Sequence, residues 1–137
     1  MDWERPVRKC WLIPLLKIKF VSGNTKRFCL AVDLKPDPVL IEAYKTHHRK
    51  VWPEILESIR GSGIVEMEIY RVENRLFMIM ETEPGFSFAN KANADLQNKK
   101  VQEWERLMET YQQFLPGTTG NEKWRIMERI FSLKNKK

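Results

Sequence analysis

Both histidines of the chain stand side by side in "AYKTHHRKVWPEI", residues 43–55, with a tyrosine four residues before His48 and a tryptophan four residues after it. A helix through this stretch puts Tyr44, His48 and Trp52 on one side and turns His47 away by about a hundred degrees. An imidazole titrates near neutrality and serves as acid or base, so His48 beside two rings is a candidate for proton transfer. The plainer reading is a histidine on an apolar stripe that hydrogen-bonds a carbonyl, and His47, off the stripe, is the weaker candidate of the two. Adjacent histidines on one helix cannot converge on a single ion, and no Cys or carboxylate pair stands at ligand spacing. No metal is expected.

Other chemistries find little support. The chain lacks GxGxxG, Walker A and GxSxG patterns, and neither cysteine has a base beside it in sequence, which leaves nucleotide binding and serine or thiol hydrolysis without a motif. Glu66 and Glu68 sit two apart in a strand-like run and face the same way, which suits a solvated or dimer-facing rim better than a catalytic pair. Trp104 and Trp124 read as core anchors, although a flat ring facing a polar cleft would suit the apolar face of a sugar.

The elements that must position these residues follow from periodicity. "RFCLAVDL" is a β-forming run, and Asp37-Pro38 supplies a cap and a first turn for a helix. Apolar residues then recur at three- and four-residue spacing from Val39 to Ile59. One helical arm is expected from about Asp37 to Arg60, kinked or split at Pro53 and stopped by Gly61 and Gly63. In "IVEMEIYRV" Val65, Met67 and Ile69 alternate with Glu66, Glu68 and Tyr70, and "RLFMIMETE" returns after a turn at Glu73-Asn74, where Asn tolerates a left-handed backbone. The run from Phe86 to Leu115 reads as helix broken near Asn98, and "KWRIMERIFSL" as a last strand. The order βαββαβ predicts a ferredoxin-like α+β domain, an antiparallel sheet with helices on one face. The bare face calls for a homodimer with two sheets face to face.

Composition narrows the partners. At 137 residues and 42% apolar the chain is one domain with a modest core. The net charge of +6 sits at the ends: residues 1–26 carry six Lys/Arg against two acids, and Lys134, Lys136 and Lys137 add three more, leaving residues 27–133 at −1. A nucleic-acid role loses its main support. Cys10 and Cys29, without CxxC spacing or a secretory segment, are expected as free thiols in a reducing cytoplasm. "CWLIPLLKIKF" is interrupted by Pro14, Lys17 and Lys19, has no cleavage site after it and is too short to span a bilayer. The expected division is an extension over residues 1–26 outside the core, a domain over 27–133 and a basic tail over 134–137. A peripheral anchor at the N-terminus is the lesser alternative.

The segments "YKTHHRKVWPEI", "GIVEMEIYRVENRLFMIMETE" and "NKKVQEWERLM…QQFLPG" together resemble the L-rhamnose mutarotase family, including relatives described as L-fucose mutarotases, over residues 27 to 133. The resemblance implies a dimeric α/β barrel of ferredoxin-like domains, no cofactor, and interconversion of the α and β anomers of a 6-deoxy sugar such as L-rhamnose or L-fucose. It places the family's proton-donating histidine on His48, its substrate-contacting tyrosine on Tyr44 and its helical tryptophan on Trp104. Where the rhamnose enzymes use a strand-borne tyrosine this chain has Met67, and where they have adjacent tryptophans it has Trp104-Glu105. Substrate contacts are therefore expected at Tyr44, Met67, Trp104 and Glu105, with Trp52 packing beneath the sugar. Two other classes share such a fold, a cofactor-independent oxygenase and a non-catalytic ligand-binding dimer.

Overall fold

The computed structural model describes residues 24–120 and 122–135. Cys10, most of the expected N-terminal extension and the last two lysines lie outside these residues.

Strand β1 (Lys26–Leu34) is followed by helices α1 (Pro38–Arg49) and α2 (Pro53–Gly61), a hairpin of β2 (Ile64–Val72) and β3 (Arg75–Thr82), helices α3 (Phe88–Leu96) and α4 (Lys99–Glu109), and two short strands, β4 (Gln112–Gln113) and β5 (Arg125–Ile126). The sheet runs β2-β3-β1-β4, all antiparallel, with β5 also on β1. This is the ferredoxin-like order, with the first and third strands in the middle.

The local reasons are visible at each boundary. Asp37 accepts a hydrogen bond from Val39 N at 2.9 Å and Pro38 opens α1. The expected arm divides at Lys50 because Trp52 precedes Pro53 and takes an extended backbone, from which Pro53 starts α2. Ser87 caps α3, and Asn98 caps α4 by accepting from Lys100 N and Val101 N, so the break near Asn98 falls where expected.

Three expectations are corrected. The left-handed residue of the hairpin turn is Glu73, at φ 53°, whereas Asn74 ties the turn to β1: Leu34 N donates to Asn74 O at 2.6 Å and Asn74 Nδ2 donates to Leu34 O at 2.9 Å. A bulge between Ile64 and Glu66 shifts the β2 register, so Ile64 is buried and Val65 is 51% exposed instead of joining Met67 and Ile69. Finally, α4 stops at Glu109, and the last strand is two fragments that share one edge of β1: Gln112–Gln113 beside Asp33 and Leu34, and Arg125–Ile126 beside Leu30 and Ala31. Pro116, which lacks an N–H, and the positive-φ glycines Gly117 and Gly120 carry the chain out between them. Beyond Ile126 most of the anticipated strand has no partner strand, and Ile130 is 88% exposed.

Alternation in register sorts the sheet into two faces. Phe28, Leu30, Val32 and Leu34 of β1, Leu76, Met78 and Met80 of β3, and Met67 and Ile69 of β2 point to the helices. They form two clusters: Val32, Leu34 and Leu76 with Tyr44 and Met108, and Leu30, Met78 and Met80 with Ile64; Trp124 packs against both. The opposite face carries Cys29, Phe77, Ile79, Glu66, Glu68 and Tyr70. Near β4 and β5 it is flanked by Leu115, Pro116, Arg125 and Met127, and Arg75 clasps Asp33 there through Nε to Oδ1 at 2.7 Å and Nη2 to Oδ2 at 3.0 Å.

Candidate active site

Helix α1 lays its C-terminal half across the sheet, and the first turn of packing is made by Tyr44, 4% exposed within the core cluster of Val32, Leu34 and Leu76. One helical turn on, the His48 ring stacks on Tyr44 with centroids 4.3 Å apart. His48 Nδ1 lies 2.9 Å from the carbonyl oxygen of Tyr44. A carbonyl only accepts, so Nδ1 carries the hydrogen and Nε2 of the neutral ring holds the lone pair. This is the bond the plain expectation for a histidine on an apolar stripe describes, and the carbonyl that satisfies Nδ1 also fixes the tautomer that leaves the Nε2 lone pair free.

The surroundings set the ionisation. Burial lowers the His48 pKa below 6.5; the Tyr44 carbonyl opposes this, and the charge of His47 adds to it. Burial pushes the Tyr44 phenol up to about 12, against the opposing pull of the Gln112 side chain. At neutral pH His48 is therefore a neutral base and Tyr44 a protonated phenol.

Trp104, from α4, closes the group. Its ring meets His48 edge-on at 5.6 Å and Trp52 at 5.2 Å. Trp52 falls beyond the end of α1, so helical spacing does not carry it onto the His48 stripe; it joins through Trp104. His47 is not remote from rings, as the helical wheel suggested. Its Nε2 is hydrogen-bonded to the Tyr111 hydroxyl at 3.0 Å and its ring meets Trp104 edge-on at 6.5 Å, because Trp104 of α4 and Tyr111 just past the end of that helix reach the second side of α1.

Beside this cluster lies a cleft of about 290 Å³ lined by Tyr44, Lys45, His48 and Arg49 of α1, Ile69 and Arg71 of β2, and Leu76 of β3. Of the expected contact residues only Tyr44 lines it; Met67, Glu105, Trp104 and Trp52 do not, the two tryptophans reaching His48 from outside the lining. Met67 belongs to the cluster around Met78 and Met80, and Glu105 is held by Lys123 at 3.5 Å, a lysine that also pairs with Glu109. Ile69, Leu76, Lys45, Arg49 and Arg71 were not anticipated, although period-two alternation along β2 already puts Ile69 and Arg71 on the same side as Met67. Among the described residues no three His, Cys, Asp or Glu side chains gather as a metal set, and no helix is long and apolar enough to cross a membrane.

An α+β domain with a neutral histidine on the wall of a small cleft, backed by aromatic rings, is a frame for proton transfer on a compact polar substrate. The model of the L-rhamnose mutarotase family matches residues 27–133. An L-fucose mutarotase of Xanthomonas campestris pv. campestris is 42% identical over 112 residues, which span 80% of this chain and 90% of that protein. A UPF0734 protein of Dictyostelium discoideum is 33% identical over 120 residues, 82% of this chain and 93% of its own. The crystal structure of an L-rhamnose mutarotase from Formosa agariphila superposes with a TM-score of 0.58 at 21% identity, over 79% of this chain and 98% of the other, a likeness of fold. The chain belongs to the L-rhamnose mutarotase family. It is an isomerase, and its reaction is the interconversion of sugar anomers.

Proposed function

We propose that the substrate is a 6-deoxy-hexose, L-fucose before L-rhamnose, and that His48 carries the proton. The observation behind this is the bond from His48 Nδ1 to the Tyr44 carbonyl, which leaves Nε2 unprotonated on a residue lining the cleft. Nε2 takes the proton from the anomeric hydroxyl O1; the C1–O5 bond breaks as C1=O forms, and the ring oxygen O5 receives a proton. Because O1 and O5 share C1, one imidazole can take the first proton and return it to O5. Rotation about C1–C2 and reversal of the same steps closes the ring on the other face of the carbonyl. Such transfer typically supplies about 10²- to 10⁴-fold, enough for a reaction that water already allows.

Tyr44 and Trp104 hold the His48 ring between them, with Trp52 behind Trp104. Ile69 and Leu76 offer the C6 methyl an apolar wall. The preference for L-fucose rests on the Xanthomonas relative, whose name carries that sugar. We read the chain as a cytoplasmic homodimer that works without a cofactor. The sheet face opposite the helices supports the dimer: it exposes Tyr70 by 53% beside half-buried Ile79 and Phe77, and face-to-face packing would cover them.

Saturation-transfer NMR on the anomeric protons of L-fucose reads the exchange directly. The wild type should accelerate it and His48→Ala should lose most of the acceleration while His47→Ala keeps it. Equal losses in the two variants would sink the role given to His48.

A further inference from the structure

The two walls of the cleft differ in what they offer a sugar. On the α1 wall Lys45 Nζ is paired with Glu42 at 3.2 Å and Arg49 Nη1 donates to Thr46 Oγ1 at 3.2 Å, both partners lying on the same helix. The strand wall is apolar at Ile69 and Leu76 and has one polar end, that of Arg71. Arg71 pairs with Leu76 across the hairpin and so stands on the helix-facing side of β2 with Met67 and Ile69. Its Nη1 donates to Glu73 O at 2.5 Å, and it has no carboxylate partner among the described residues. A guanidinium carries five N–H donors in a planar fork, so that one bond uses few of them.

Anomer exchange takes place at one edge of a pyranose. His48 must meet the C1–O5 bond, and the bond across the ring from it is C3–C4, which bears two adjacent hydroxyls. A sugar with its reacting edge toward α1 turns C3–C4 toward the strand wall. We infer that Arg71 donates to the C3 and C4 hydroxyls and is a specificity-determining residue for the sugar, an inference that rests on reading this cleft as the mutarotase site. L-Fucose and L-rhamnose carry the C4 hydroxyl in opposite orientations, so a forked donor at that edge separates them.

The test is exchange kinetics with L-fucose, L-rhamnose and 4-deoxy-L-fucose on the wild type, Arg71→Met and Arg71→Lys. Arg71→Met should raise KM for L-fucose on the order of tenfold or more, the value of a hydrogen bond from a charged donor. Its kcat should hold, because the C3–C4 edge does not change during the reaction. The KM penalty for removing the C4 hydroxyl, present in the wild type, should vanish in Arg71→Met and return in part in Arg71→Lys. An undiminished 4-deoxy penalty in Arg71→Met overturns the inference, as does an unchanged KM. A lowered unfolding midpoint with unchanged KM confines Arg71 to the hairpin turn and overturns it too. Failure of the wild type to accelerate exchange of either sugar is a different result, read before any variant is made, and it removes the mutarotase reading along with the inference.

Discussion

His48 donates its Nδ1 hydrogen to the carbonyl oxygen of Tyr44, one helical turn behind it, at 2.9 Å, while its ring lies against the Tyr44 ring. One residue thereby sets the tautomer and the orientation of the ring. Since burial holds the His48 pKa below 6.5, the enzyme-dependent part of the exchange should rise with pH to a plateau, with its inflection below 6.5. An inflection at or above 6.5 in kcat/KM would show that burial does not govern the base. The same shift acts on stability. The unfolded chain binds the proton more readily than the folded one, so this contribution falls as pH drops from 6.5 toward the folded pKa and is recovered above 6.5.

The proposed role leaves the neighbouring histidine outside the chemistry, where it acts only on this value. A charged His47 is one of the groups that lower the His48 pKa. In His47→Gln the plateau rate should persist and the acid inflection should move up toward 6.5, with Gln able to keep a bond to the Tyr111 hydroxyl. Paired pH profiles of the two proteins check it; coincident profiles, or a collapsed plateau, would contradict it.

Leu34 is fully buried, its backbone is bonded to Asn74 on both sides, and it does not line the cleft. Leu34→Ala should destabilise the fold by about 2–5 kcal/mol, the usual range for such a truncation. Urea unfolding should show the midpoint fall, while KM at temperatures where the variant stays folded should be unchanged.

Ile79 stands on the face of the sheet away from the helices, between Cys29 and Glu68 in the register. Placing a charge there, as Ile79→Asp, should turn the proposed dimer into monomers in sedimentation velocity, because a carboxylate added beside Glu68 meets like charge and would lose its water when the face is covered. A wild type that sediments as a monomer, or a variant that remains a dimer, would remove this face as the interface.

Much of the fold was legible because its signals are local. Asp37-Pro38, Asn98 and the alternation of β2 and β3 each act within a few residues, and each lies where its chemistry puts it. The features that escaped depend on distant partners. The bulge at Val65 arises in the pairing of β2 with β3, and the division of the last strand depends on how much of the β1 edge Gln112 and Gln113 occupy. The site shows the same contrast. Tyr44 and His48 meet because a helix repeats every four residues, but Trp104 and Arg71 reach them from α4 and β2, and no spacing in sequence measures that approach. Met67 was expected at the sugar by analogy and packs, half-buried, against the core beside Met80, its partner in the β2–β3 register.

The central place of β1 also governs the order in which the molecule can assemble. Among the strands of the described residues it is synthesised first, yet its partners are β3, β4 and β5, so Lys26 waits for Thr82 and Leu34 for Gln112. The β2–β3 hairpin closes over a two-residue turn and needs nothing distant, which makes it the natural seed on which β1 later docks. Until then the nascent chain carries "CLAV" with both strand edges open, the kind of segment on which chains aggregate and chaperones act. A circular permutant that begins at β2 and delivers β1 after β3 would shorten that wait, and faster refolding with less loss to aggregation is the behaviour this topology assigns to it.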